Sequence, residues 1–353
     1  MNLRPGQFTY TMRSITIVIL LLMYFSAGQC QTFKGTVYDR SSDSTLSFAV
    51  IYISGTSIGI YSDINGNFEL NISKYASKPI TISMIGYYSV TLSEHSSDKI
   101  YKIYLSTKTH ELNEVLVKGK KGKWDTYLQI FKRQFLGSSA NASMCDILNE
   151  RDLRFFNIND TTLSAYSLNP LIIHNKALGY NITYYLDKFI YNYQKDEKHI
   201  FNETCFILGK YLFKDDLLTL SESKRIAVER RRRSAYLGSR MHFFRLLYLG
   251  NIHHRGRSIT ALSDSVTIPT VFLIYTKTNS KSIVIKTDSL SGYLKYNGEL
   301  SVKYKGMSST INVKKDSVYF EKYGFYDPFG VDFSGNMSDR RIGDLLPYEY
   351  SLK

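Results

Sequence analysis

Between Phe33 and Leu105 apolar and polar residues alternate in short runs, and turn residues separate the runs. Phe33, Gly35 and Val37 share one parity against Lys34, Thr36 and Tyr38, and Ala49, Ile51 and Ile53 share another against Val50 and Tyr52. Further on, Phe68, Leu70 and Ile72 alternate with Asn67, Glu69 and Asn71, and Ile80, Ile82 and Met84 form the next face. Tyr88, Val90 and Leu92 continue after Gly86, and Tyr101, Ile103 and Leu105 close the set. A period of two marks a strand with one buried face. Six or seven such runs without helical spacing predict a β-sandwich.

The pattern changes after residue 118. Trp124, Leu128, Phe131 and Phe135 recur at helical spacing and predict a helix over 124–136. Residues 145–218 return to strand-like runs, including Leu171-Ile172-Ile173 and Gly179 to Leu186. A second helix is expected from about Ser221 to Leu249, where Leu237, Met241, Phe244 and Tyr248 form an apolar stripe. Strands resume between Ile259 and Phe320. The predicted fold class is mainly β: an N-terminal β-sandwich followed by a β-rich α+β domain with at least two helices.

The run Asp63-Ile64-Asn65-Gly66-Asn67 invites a metal-loop reading, which its spacing excludes. A helix-loop-helix calcium site needs glycine at position 6 and glutamate at position 12. Counted from Asp63, those positions hold Phe68 and Lys74. Asn-Gly between alternating segments predicts a two-residue hairpin turn instead.

The chain has 353 residues, enough for two domains. Near its start Arg13 precedes an apolar run, Ile15 to Phe25, followed by Ser26-Ala27-Gly28. Eleven apolar residues are too few for a bilayer that needs about 20. A basic start and a small-residue end predict a secretory signal, with Met12 offering the shorter basic start. Cleavage is expected after Gly28 or Cys30. Lipid anchoring at Cys30 is disfavoured, because Gln29 stands where such signals carry a small residue. The expected organisation is a signal peptide over 1–30, the sandwich over 31–118, a linker over 119–123 and the second domain over 124–353. Outside the cytoplasm disulfides are permitted, and Cys145 and Cys205 are the pair left to form one.

The formal charge of +14 is unevenly spread. Residues 31–118 carry eight basic and eight acidic side chains, so the mature excess belongs to the second domain. Between Lys224 and Arg245 eight Lys or Arg face one Glu. At about 100° per residue, Arg230-Arg231-Arg232-Arg233 sweeps most of the way round a helix, so the four cannot share one solvated face. At least one should turn inward and require a carboxylate. Arg230, Arg231, Arg232, Arg233, Arg240 and Arg245 are therefore candidates for structural ion pairs or for an anion site. The expected partners are an anionic glycan, a lipid headgroup or another envelope protein, and nucleic acid is not expected for an exported chain.

No catalytic, cofactor or metal residues are assigned. His110-Glu111 and His199 with Glu203 lack zinc-peptidase spacing, and adjacent His253-His254 reads as surface. Gly137-Ser138-Ser139 and Gly238-Ser239 are not nucleophile elbows. The leading expectation is a non-catalytic exported protein of the cell envelope that binds or scaffolds. The alternative is a periplasmic or surface hydrolase whose site is assembled from distant residues, and the third reading is a component associated with a TonB-dependent outer-membrane system.

Several phrases together resemble a known family. Lys34 to Asp39, Ala49 to Gly59, Ser62-Asp63 with Asn65 to Phe68, Ile85-Gly86-Tyr87 and Glu111 to Val117 are similar, in that order, to the carboxypeptidase regulatory-like domain. That domain is common at the front of secreted and outer-membrane proteins of Bacteroidetes. The resemblance implies a transthyretin-like sandwich without catalysis of its own. Ala177 to Tyr180, Arg230 to Arg233, Ala235 to Ser239, His242 to Arg245 and Leu345 to Tyr348 resemble an uncharacterised companion domain found behind it.

Overall fold

The structure is a computed structural model that describes residues 31–108, 123–195, 201–249, 252–255, 258–261, 272–275, 284–286, 290–296 and 298–352. The expected signal, the linker glycines and lysines of 119–122 and His110-Glu111 lie outside the described residues, as do His199 and the side chains of His253 and His254. The chain divides into two compact units.

The first unit takes residues up to Tyr52 and Ile60–Lys108. Its strands are β1 (Thr32–Asp39), β2 (Val50–Ile53), β3 (Gly59–Tyr61), β4 (Asn67–Asn71), β5 (Ile80–Ser83), β6 (Val90–Leu92) and β7 (Ile100–Leu105). They form two sheets, β4-β1-β7 and β3-β2-β5-β6. β1 pairs antiparallel with β4 and parallel with β7, placing Gly35 beside both Phe68 and Tyr101. The expected alternation is present: Phe33, Val37, Phe68, Leu70 and Ile103 are buried while Glu69 and Asn71 face solvent.

The Asn65-Gly66 turn differs from the expected two-residue hairpin. β3 and β4 belong to different sheets, so the turn carries the chain from one sheet to the other. A type I′ hairpin needs positive φ at both central residues, and here Gly66 alone of the pair has it, at 78°. The Asp63 side chain organises the turn instead. Its Oδ1 accepts the backbone N–H groups of Asn65 at 2.9 Å and Asn67 at 2.7 Å, an Asx turn.

The second unit takes Ile53–Gly59 and the chain after residue 108. Within it Gly55 N–H donates to the Tyr211 carbonyl, Phe213 N–H to that of Thr56, and Tyr348 N–H to that of Gly55. The expected first helix is α1 (Trp124–Leu136), with Leu128, Phe131 and Phe135 buried. These side chains stack on the sheet built from β8 (Cys145–Ile147), β9 (Leu153–Asn159), β10 (Thr162–Ser167), β11 (Leu171–Asn175), β12 (Tyr180–Lys195) and β13 (Phe201–Asp215). The order is β8-β11-β12-β10-β9, with β13 also on β12. Phe131 meets Phe189 at 4.7 Å between ring centroids, and Phe135 meets Tyr184 edge-on at 4.9 Å. Burying each such ring contributes about 2 kcal/mol.

The single helix expected over 221–249 is two: α2 (Glu222–Tyr236) and α3 (Arg240–Leu249). Gly238 breaks it with φ at 80°, and a Cβ there would sit 2.9 Å from Cδ1 of Tyr304. Ser239 restarts the helix, its Oγ accepting the His242 N–H at 3.1 Å in the manner of an N-cap.

The remaining strands are β14 (Ile252–Arg255), β15 (Ser258–Ala261), β16 (Phe272–Tyr275), β17 (Val284–Lys286), β18 (Ser291–Leu294), β19 (Gly298–Tyr304), β20 (Met307–Val313), β21 (Val318–Glu321) and β22 (Val331–Gly335), followed by α4 (Asn336–Asp339). They make a sheet β14-β15-β16-β19-β20-β22 and a smaller one β17-β18-β21. Phe243, Phe244 and Leu247 of α3 lie in a second core with Phe272, Val302 and Phe320.

Candidate functional site

The arginine run divides by direction. Arg232 is buried. Its Nη1 and Nη2 donate to both oxygens of Asp215 at 3.0 and 2.8 Å, and its Nε and Nη2 donate to the carbonyls of Leu178 and Gly179 at 2.7 and 3.1 Å. The guanidinium also lies 3.8 Å from the centre of the Tyr180 ring. Arg231 is half-buried and donates to the Ala177 carbonyl at 3.1 Å. Arg230 is exposed and makes no hydrogen bond or ion pair among the described residues. Arg233, one helical turn on, is half-buried.

Arg240 and Arg245 of α3 turn toward protein. Arg240 donates to the Tyr326 hydroxyl at 3.3 Å and to the Arg340 carbonyl. Arg245 donates to the carbonyls of Tyr323, Tyr350 and Tyr348 at 3.0, 2.7 and 3.1 Å. The sequence pointed to a carboxylate partner for an inward arginine, and Asp215 is one. It did not point to backbone carbonyls, which take most of these donors. Two further arginines cap helices the same way. Arg340 donates to the carbonyls of Ser234 and Ala235 at the end of α2, and Arg341 donates to that of Gln134 at the end of α1. A cation at those orphan carbonyls also opposes the helix dipole.

The outer face of α2 borders a cleft of about 510 Å³. Ile226, Glu229, Arg230 and Arg233 line it from the helix, the i, i+3, i+4, i+7 positions of one face. Pro347, Glu349, Tyr350 and Leu352 supply the opposite wall, and the Arg245 bonds to the 348 and 350 carbonyls fix that wall. Asp215 and Arg232 meet at the base, where they neutralise each other. Glu349 points its Oε1 at the Ser57 N–H, 2.9 Å away. Burial raises the pKa of the Tyr350 hydroxyl against the opposing pull of Arg232 and Arg233, so it stays a neutral donor.

Cys145 and Cys205 are not brought together, and both are free thiols. The register explains why. Cys145 stands opposite Asn175, Asn175 opposite Tyr180, and Tyr180 opposite Asp215. Cys145 is therefore level with the Asp215 end of β13, about 30 Å along the strand from Cys205. A disulfide needs Cα atoms within about 7 Å. Burial, with Asp344 and Asp146 nearby, pushes the Cys145 thiol up to about 12.

Among the described residues no group of three or more His, Cys, Asp or Glu is placed to hold a metal ion. Glu203 pairs at 3.7 Å with Arg133 and accepts from Gln134. No helix of the described residues is long and apolar enough to cross a membrane.

The chain thus comprises a two-sheet β unit with turns tied by Asp and Ser side chains and an α+β unit. Residues 33–117 match the family model of the CarboxypepD_reg-like domain. A comparison with curated proteins returns no match. Among solved structures, the chain is similar to a protein from Bacteroides fragilis NCTC 9343 described as membrane-associated and of unknown function. The identity is 9%, the coverage 86% of this chain and 97% of that one, and the TM-score 0.16, too low to carry an argument about fold or function.

Proposed function

We propose that the protein is a non-catalytic binding module of the cell envelope, exported by its first thirty residues, in which the carboxypeptidase regulatory-like domain is accessory and the second unit engages an anionic partner. The observation that carries this reading is the division within Arg230–Arg233. Arg232 and Arg231 are consumed by Asp215 and by backbone carbonyls, while Arg230 stands exposed on a cleft with its donors unused among the described residues. A guanidinium in that position offers a planar pair of N–H groups suited to carboxylate, sulfate or phosphate.

The test has two arms. The full chain is produced in a bacterial host with its first thirty residues, and the mature N-terminus and cell fraction are determined. A chain shortened to begin near residue 29 or 31 and recovered outside the cytoplasm is expected, and an intact cytoplasmic chain would sink the export reading. The purified protein should then be retained on a sulfated-glycan matrix or on vesicles of anionic lipid, with retention falling as salt shortens the screening length. Absence of retention on both at low salt would defeat the binding reading.

A further inference from the structure

We infer that the cleft beside α2 takes a small amphiphilic anion, with one phosphate or carboxylate head on an aliphatic body; this rests on the binding reading above and names its ligand chemistry. Several polar groups of the cleft are engaged inside the fold. Asp215 has both oxygens on Arg232, and Glu349 directs an oxygen at Ser57. A ligand rich in hydroxyl groups would find few free partners there and would leave its own polar groups desolvated at a cost. Arg230 is an exposed cation on the cleft without a hydrogen bond or ion pair among the described residues, and it accommodates one anionic head.

Aliphatic side chains supply part of the remaining lining. Ile226, on the same helical face and one turn before Arg230, is 54% exposed, an uncommon place for a large aliphatic on an otherwise polar helix. Leu217 and Leu352 also line the cleft, and Leu218, next to Leu217, is 90% exposed. A volume of about 510 Å³ falls within the range that holds small ligands, roughly 300–1,000 Å³. One free guanidinium beside three aliphatic side chains suits a molecule that is charged at one end and apolar along the rest.

Octyl phosphate, below the concentration at which it forms micelles, serves as the probe for calorimetry on the full mature chain. Inorganic phosphate and 1-octanol each present one half of it. Octyl phosphate should bind, and each half alone should bind at least tenfold more weakly. Arg230→Gln and Ile226→Asp, both at exposed positions and each confirmed folded by its thermal melt, should each weaken octyl phosphate by roughly tenfold, the loss of one charge-assisted contact or of the apolar seat. Equal affinity for octyl phosphate and inorganic phosphate would overturn the proposal, as would affinity unchanged by Arg230→Gln. No binding of octyl phosphate, with salt-sensitive retention on anionic matrices intact, would remove this ligand chemistry and leave the broader binding reading standing. Loss of both would remove the two together.

Discussion

The two units satisfy their interior polar groups over different reaches of chain. In the first, Asp39 accepts the N–H groups of Ser41 and Ser42 at 2.6 and 3.1 Å and the Ser41 hydroxyl at 2.5 Å, all within three residues, and reaches further only to the Tyr87 hydroxyl. At the surface, Asp63 also bonds within four residues. In the second unit guanidinium groups span the chain. Arg232 reaches back 53 and 54 residues, Arg245 reaches forward 78 to 105, and Arg341 reaches back 207. Short Asp and Ser side chains can bond only what lies beside them, whereas an arginine carries five donors on a long stem. Part of the basic excess of the second unit is thus structural. Its arginines replace water at carbonyls left open by helix ends and loops.

This contrast predicts where the molecule breaks. The largest effect is expected at Arg232. Arg232→Gln leaves two carbonyls without their donor and breaks the ion pair of Asp215, which keeps the Leu217 N–H, and should cost about 3 kcal/mol, read as a lowered midpoint in urea unfolding. A midpoint within error of the parent would contradict a structural role. Gly238→Ala comes next. Its positive φ and the close Tyr304 ring should cost about 2 kcal/mol, measured the same way, and the break between α2 and α3 would not depend on glycine if the variant matched the parent.

Acid should separate the units. Burial, with Arg245, Arg340 and Lys305 nearby, lowers the His242 imidazole to about 3 from 6.5. Between those values the unfolded chain binds a proton that the folded one refuses, so the stability of the second unit is fully present above about pH 6.5 and falls as pH drops toward 3. In the first unit hydrogen bonds from Ser41 and Tyr87 hold Asp39 well below the usual carboxylate range. Its contribution is present above about pH 4 and is lost only in stronger acid. Hydrogen exchange followed peptide by peptide from pH 7 to 5 should quicken in α3 and its sheet before the sandwich. His242→Gln should flatten that response, and a response that began in the sandwich would reverse the assignment.

The smallest effect sharpens the comparison most. Arg230→Gln should shift stability by no more than about 0.5 kcal/mol, because an exposed charge contributes little. A loss comparable to that of Arg232→Gln would show that the outer arginine, too, belongs to the framework.

Much of the fold was legible in the sequence. α1 follows from the spacing of Leu128, Phe131 and Phe135, and the strands of the first unit follow from alternation, because each pattern is written in the side chains that the element itself buries. That at least one of the four arginines turns inward followed from helix geometry alone. Which one it would be, and that Asp215 and the Leu178 and Gly179 carbonyls would receive it, was not visible, since those partners come from another segment. The hairpin expected at Asn65-Gly66 shows the same limit. A turn stands where one was expected, but Asp63 organises it and β4 found its partner in β1.

The sequence by itself determined the strands of the sandwich, the helix at 124–136, the placing of charge in the second unit and the likeness of residues 33–117 to a known domain. All of these rest on neighbours within a few positions. Tertiary structure alone decided the break at Gly238, the separation of Cys145 from Cys205, the commitment of Arg231, Arg232, Arg240 and Arg245 to distant carbonyls and the cleft left beside Arg230. Each depends on which remote segments pack together, and a side chain's freedom to bind is whatever that packing leaves unused.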